Sequence, residues 1–179
     1  MVHATAGQTV EGRRLRVGMV GGGRNAFIGA VHRMAMRLDD LFDLKAGALS
    51  SDAENARASG ADLGLAPDRV YSDFREMAAR ESARPDGVEA VVIVTPNQLH
   101  YPVAKAFLGA GVDVICDKPL STSLTEAKEL VELSRATGLV FAVTLNNTVY
   151  PMVRHAREMS PLARSATSGS FTRATSRTG

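Results

Sequence analysis

The 179-residue sequence predicts an α/β fold built on a doubly wound parallel sheet, on three observations. Short apolar, β-branched runs alternate with stretches of helical periodicity from Val17 to Leu145, the pattern of strands joined by crossover helices. Two of the runs, Val88–Val94 and Val112–Cys116, are apolar almost throughout, as strands covered on both faces are. The runs end in turn-forming or small polar residues at Gly21–Gly23, Ser50–Asp52, Thr95–Asn97 and Asp117–Pro119.

Taken in order, Val17–Val20 is the first strand. Ala30–Leu38 is an amphipathic helix with Val31, Met34, Ala35 and Leu38 on one side. Phe42–Leu49 is the second strand, and either Ser51 or Asp52 caps a helix over Ala53–Leu63. Arg69–Tyr71 is a short third strand and Phe74–Arg80 a third helix. After the strand Val88–Val94 a helix runs Tyr101–Ala110, and Gly111 breaks the chain before the strand Val112–Cys116. Thr122–Thr137 is a helix, capped by Ser123 or Thr125 and ended by Gly138; Leu139–Leu145 is a sixth strand.

The formal charge of +2 and the scattered arginines argue against a nucleic-acid partner. No apolar run has the length of a membrane span, so no membrane partner is expected. With Cys116 alone an intrachain disulfide is excluded, and a reducing, cytoplasmic setting fits. Within its apolar strand Cys116 reads as buried and inert. No His, Cys, Asp or Glu cluster has metal-ligand spacing, so no metal is expected.

The stretch Leu15–Gly29 carries the chemistry: an apolar run, three consecutive glycines, then a helical pattern. Strand, glycine-rich turn and helix in that order are what a dinucleotide-binding crossover needs, although a tight structural turn has the same signature. The third glycine of the usual spacing is replaced by Ala26, with Phe27, Ile28 and Gly29 following. The phosphate loop is therefore expected to span Gly21–Gly29, with Gly21, Gly22, Gly23, Ala26, Phe27 and Ile28 along it. Arg24 and Asn25 would add phosphate contacts. Ligands of open α/β sheets bind at the carboxyl ends of strands, where four polar or special-backbone segments of this chain fall together.

On Val20-Gly21-Gly22-Gly23, Thr95-Pro96-Asn97-Gln98-Leu99-His100 and Asp117-Lys118-Pro119-Leu120-Ser121, in this order and spacing, the chain resembles the Gfo/Idh/MocA family of NAD(P)-dependent oxidoreductases. The resemblance covers roughly Arg14–Met159, the family's N-terminal domain. It implies a Rossmann fold, NAD or NADP as cofactor, and hydride transfer between nicotinamide and a sugar, inositol or related polyol as small-molecule substrate. Lys118 is implied as the catalytic residue, its ammonium holding the reacting oxygen. Asp117 stands where the family has glutamate, one methylene longer. Thr95, Pro96 and Asn97 are implied to line the nicotinamide and ribose side, and Asn146 matches a family asparagine after the sixth strand. His100 would touch substrate or cofactor, or else cap a helix or lie at the surface.

At the end of the second strand an acid normally holds the ribose 2′-hydroxyl and repels a 2′-phosphate. Here that place is Ser50, with Ser51 beside it. Two hydroxyls tolerate a phosphate, which Arg24 or Arg57 would neutralise, whereas Asp52 would supply the acid if the strand runs further. The cofactor is NAD or NADP, with the serines leaning toward NADP.

The expected organisation is a flexible leader over residues 1–13, a dinucleotide-binding domain over 14–159, and an aberrant or disordered tail over 160–179. Ser160–Gly179 has no acidic residue and no apolar periodicity. A back-translation of Met159–Gly179 with one base restored opens a frame that reads as ordinary folded protein, so a frameshift is weighed against a native tail. The family's second α/β domain supplies most of the substrate pocket and does not fit within that tail. Two functions are thus expected: an oxidoreductase represented by its cofactor domain, or a truncated, non-catalytic nucleotide-binding module, a decayed gene product included. An exposed apolar patch and homo-oligomeric association are expected where the second domain would pack.

Overall fold

The computed structural model describes residues 13–163, and the chain divides into two compact units between Thr144 and Leu145. The first unit is a five-stranded parallel sheet in the order β2-β1-β3-β4-β5, with β1 Leu15–Gly21, β2 Phe42–Ala48, β3 Ala90–Val94, β4 Asp113–Cys116 and β5 Phe141–Val143. Its helices are α1 Phe27–Leu38, α2 Ala53–Asp62, α3 Phe74–Ser82, α4 His100–Gly109 and α5 Leu124–Thr137. The second unit holds a 3-10 turn, Asn146–Val149, and α6, Pro151–Ala163. That helix passes Ser160, where the tail is expected to begin. The tail beyond Ala163 and the leader before Arg13 lie outside the described residues. Arg13 itself joins the fold, donating twice to Glu89, at 2.8 and 2.6 Å.

The sheet's burial follows the alternation of its side chains. Val91 and Ile93 enter one core with Met77 of α3, Val103 and Phe107 of α4, and Leu130 of α5. Val92 and Val94 face the other, with Met19, Leu49 and Leu65, against which Ile28 and Met36 of α1 pack. Local signals set the helix ends. Asp52 caps α2 by accepting from the Asn55 amide at 2.7 Å, and Asp73 caps α3 by accepting from the Arg75 amide at 2.6 Å. Ser123 occupies the cap position of α5 without a side-chain bond, and Thr125 lies inside the helix. Gly138 ends α5 at φ +68°, a left-handed conformation open to glycine.

One predicted strand is corrected. Arg69–Tyr71 forms no strand: Pro67–Arg69 is a 3-10 turn, and only Val70 bridges to Gly47, with the Tyr71 amide donating to the Gly47 carbonyl at 2.8 Å. Proline at the start of the segment bends the chain, and the Arg69 side chain is drawn inward rather than left on a strand face. It pairs with the fully buried Glu81 of α3, Nε at 3.1 Å from Oε1, while Nη2 donates to Oε2. Glu81 also accepts from the Tyr71 hydroxyl at 2.8 Å and the Val88 amide at 3.3 Å. The carboxylate therefore ties the turn, α3 and the approach to β3 into one buried network.

Glu81→Ala leaves the Arg69 guanidinium buried without its main counter-charge, which is expected to cost about 3–5 kcal/mol in urea melts. The double variant Arg69→Met/Glu81→Leu is expected to recover most of that loss; a single-variant loss below about 1 kcal/mol would show the network to be dispensable. Burial and the Glu81 carboxylate push the Tyr71 phenol up to about 12. An unfolded tyrosine ionises near pH 10, so stability is expected to fall as pH rises from about 10 to 12. That component of the fall should be missing from Tyr71→Phe, read by chemical denaturation at stepped pH.

Candidate functional site

The five strands end in register. Val20 pairs with both Ala48 and Ile93, Ile93 with Cys116, and Cys116 with Val143, so these five residues form one row across the sheet. Beyond that row lie the glycine turn, Ser50–Ser51, Thr95–Asn97, Asp117–Lys118 and Thr144. The strand order reverses between β1 and β3, which opens a crevice at this carboxyl edge. The cleft there holds about 350 Å³ and is lined by Gly21–Arg24, Ala26, Ser50, Ser51, Ser72, Phe74, Thr95, Pro96 and Leu99. A second hollow of about 380 Å³ flanks the turn, between α1 and α2, with Asn25, Phe27, Arg33, Ser59 and Asp62 on its walls. The strand-end cleft is the candidate site, because it collects segments from three strand ends.

The turn is shorter than the sequence predicts, since α1 begins at Phe27 with Ala26 as its N-cap. Gly22 has φ +72°, and a Cβ there would lie 2.9 Å from the Gly29 Cα. Gly29 thus makes the close helix approach for which the usual third glycine serves, one helical turn beyond Ala26. At Gly23 a Cβ would meet the Leu49 carbonyl at 2.7 Å and the Ser59 hydroxyl at 2.8 Å. Asn25 also has a positive φ, +68°. Arg33 of α1 donates to the Gly22 carbonyl at 2.7 Å, and the Ser59 hydroxyl accepts from the Arg24 amide at 2.9 Å, bracing the turn from two helices.

The first turn of α1 contains no acidic residue and no side-chain cap, so no side chain satisfies its first N–H groups. The Thr95 hydroxyl oxygen is buried and has no hydrogen-bond partner among the described residues. An uncapped helix start, a turn that admits no side chains and an orphaned hydroxyl all fit a dinucleotide whose pyrophosphate meets the helix.

Several expected contacts are redirected. Arg24 is committed to Asp62, Nε and Nη2 donating at 2.6 and 2.8 Å, which holds the Asp62 carboxyl below its usual range. Its charge is thereby offset by a carboxylate before any phosphate arrives. Phe27 is 82% exposed at the head of α1, and the Ile28 side chain packs into the core, leaving their backbone amides as the available groups. Asp52 spends one carboxylate oxygen on its cap. Ser50 accepts from the Asp52 amide at 3.1 Å and the Asn55 side-chain amide at 3.3 Å, which leaves its own O–H free to donate.

His100 is the largest departure. Rather than reaching for substrate or cofactor it is 1% exposed, with Nδ1 2.6 Å from the Pro119 carbonyl and Nε2 3.0 Å from the Thr95 carbonyl. Asn97 opens a 3-10 turn, Asn97–Leu99, and is exposed. Asn146 opens the turn of the second unit.

At the end of β4, Asp117 Oδ1 accepts from the Lys118 amide at 2.8 Å and from the Thr144 hydroxyl at 2.9 Å. The shorter acid thus closes on its own backbone and leaves the Lys118 side chain exposed. His32 of α1 stands with Nε2 4.0 Å from the same oxygen, and burial lowers its pKa against the pull of Asp117. Protonating His32 therefore works against the folded state. Burial, and next the Asp117 charge, push the Cys116 thiol up to about 12, as suits an unreactive core residue. The roles of His32, Thr144 and Ser59 have no motif in sequence; they emerge only when strand ends and helices are brought together.

Among the described residues no helix is long and apolar enough to cross a membrane. A family model described as the oxidoreductase family with an NAD-binding Rossmann fold, GFO_IDH_MocA, matches residues 15–145. The oxidoreductase YfiI of Bacillus subtilis is 40% identical over 154 residues, covering 86% of this chain and 39% of its own. An oxidoreductase of known structure from Sinorhizobium meliloti is 57% identical, with TM-score 0.76, over 84% of this chain and 42% of that one. An inositol dehydrogenase homolog from Azotobacter vinelandii, solved with NADH and myo-inositol, is 40% identical with TM-score 0.79, over 86% of this chain and 40% of that one. The chain spans about 39% of the length of the curated relative. With the family model over most of the sheet, the chain belongs to the Gfo/Idh/MocA oxidoreductase family and carries its NAD-binding Rossmann domain.

Proposed function

We propose that this chain is the cofactor-binding part of a dehydrogenase that moves a hydride between nicotinamide and a hydroxyl-bearing carbon of an inositol, sugar or related polyol. The observation that carries the proposal is the shared register row, which puts the glycine turn and Lys118 beyond the same sheet edge. The likeness to the Azotobacter vinelandii protein with myo-inositol supports the substrate class. When bound, the oxidised nicotinamide supplies the hydride acceptor. The amides of Phe27 and Ile28 hold pyrophosphate, and the Thr95 hydroxyl donates to the nicotinamide or ribose side, with Pro96 and Asn97 beside it. Lys118 would direct its ammonium at the substrate oxygen, stabilising the charge that develops there as the O–H proton passes to solvent and the C–H bond gives up its hydride. Asp117 fixes the lysine's backbone through its amide.

Either dinucleotide is accommodated at the end of β2. Ser50 and Ser51 present hydroxyls that donate to a ribose or a phosphate oxygen, and the nearby Arg24 is already neutralised by Asp62.

The purified chain is expected to quench or enhance NADH and NADPH fluorescence on titration, and to reduce NAD(P)+ with myo-inositol. Lys118→Met should keep cofactor affinity while lowering turnover roughly 100-fold. Binding without turnover identifies a nucleotide-binding module alone; no binding of either cofactor overturns the proposal. Asp62→Asn releases Arg24, and the ratio of NADPH to NADH affinity is expected to rise about threefold, modest because the pair is half exposed. An unchanged ratio would place Arg24 away from the 2′-position.

A further inference from the structure

We infer that His100 is a positioning residue: a buried clamp that holds the segment carrying Lys118 at a fixed distance from the segment carrying Thr95. Its ring nitrogens meet two backbone carbonyls from different strand ends, Pro119 at 2.6 Å and Thr95 at 3.0 Å. The contact to Pro119 is the one hydrogen bond, among the described residues, that reaches the backbone of Lys118–Leu120 from outside Asp117–Ser123. Lys118 otherwise hangs on its neighbour Asp117 and on the partly buried Leu120. A 1% exposed imidazole has no water to exchange for these carbonyls, so each contact is made inside the protein or lost. Either neutral tautomer donates to one of the two carbonyls, and a ring carrying both protons donates to both.

The ring sits at the first residue of α4, directly after the turn Asn97–Leu99, so it is anchored by the helix rather than by either segment it joins. The orphaned Thr95 hydroxyl belongs to the same residue whose carbonyl the ring holds. The clamp therefore sets the direction of Thr95 on one side and of the Lys118 backbone on the other. Its consequence for a bound dinucleotide rests on the function proposed above; the clamp itself does not.

The test uses the full chain and three substitutions. An asparagine amide nitrogen takes the place of Nδ1 and a glutamine amide nitrogen that of Nε2. Hydrogen exchange is followed by mass spectrometry over peptides containing Thr95–Leu99 and Asp117–Ser121. His100→Ala is expected to speed exchange about tenfold in the peptide whose carbonyl accepts the ring proton, the loss of about one hydrogen bond, and by less in the other, which loses only the packing of the ring. His100→Asn should restore Asp117–Ser121 alone, and His100→Gln Thr95–Leu99 alone. Unchanged exchange in His100→Ala overturns the clamp. So does an increase spread evenly over the whole sheet, failure of all three variants to fold, or Asn and Gln variants that both match Ala. A parallel NADH titration is expected to show weaker binding for His100→Ala and near-normal binding for His100→Asn. Absence of NADH binding by the unsubstituted chain counts against the proposed function, while the exchange result still decides the clamp.

Discussion

Parallel alignment is the constraint on which the rest of this structure depends. Two parallel neighbours cannot be joined by a tight hairpin, so each strand must hand the chain to a crossover before the next begins. All five strands then finish at one edge, and the row from Ala48 through Val20, Ile93 and Cys116 to Val143 brings the finishing points level. Residues as distant in sequence as Val20 and Ile93, or His32 and Asp117, become neighbours without any long-range motif to join them. Reversal of the order beside β1 keeps two crossovers apart and leaves the crevice between them open.

The edge is held by backbone as much as by side chains. Gly22 and Gly29 let the first helix touch the turn, Arg33 holds the turn's carbonyl, and Asp117 folds onto the amide of Lys118. Such contacts fix directions of N–H and hydroxyl groups before a ligand arrives, which lowers the ordering cost of binding. Charge is treated with similar economy: Asp62 occupies Arg24, and Asp52 is turned toward its helix.

Much of this architecture is legible in the sequence where a local signal has only one physical use. The unbroken apolar run at β3 requires cover on two faces, Asp52 precedes a helix it can cap, and Gly138 follows one it can end. What the sequence hides is long-range. Arg69 reads as the start of a short strand and Glu81 follows the predicted third helix, yet the two are a buried pair, because the turn at Pro67 directs one toward the other. A lone histidine at a helix start reads as a cap or a surface residue, and only the meeting of β3 and β4 ends reveals what His100 holds. Ala26 marks a missing glycine, yet the compensating contact at Gly29 depends on the pitch of α1 and on a backbone approach that no composition records. Asn146 matches a family asparagine, and it lies in the unit that begins after Thr144.

The first helix carries a second property with a bearing on the first. Its far side displays Phe27, Val31, Met34 and Leu38, spaced so that they form one exposed apolar stripe. The same twelve residues supply Gly29 and Arg33 to the glycine turn. A single helix thus borders two environments, the exposed stripe on one side and the glycine turn on the other. A partner that covers the stripe would therefore bury apolar surface on the same helix whose Gly29 and Arg33 brace the glycine turn.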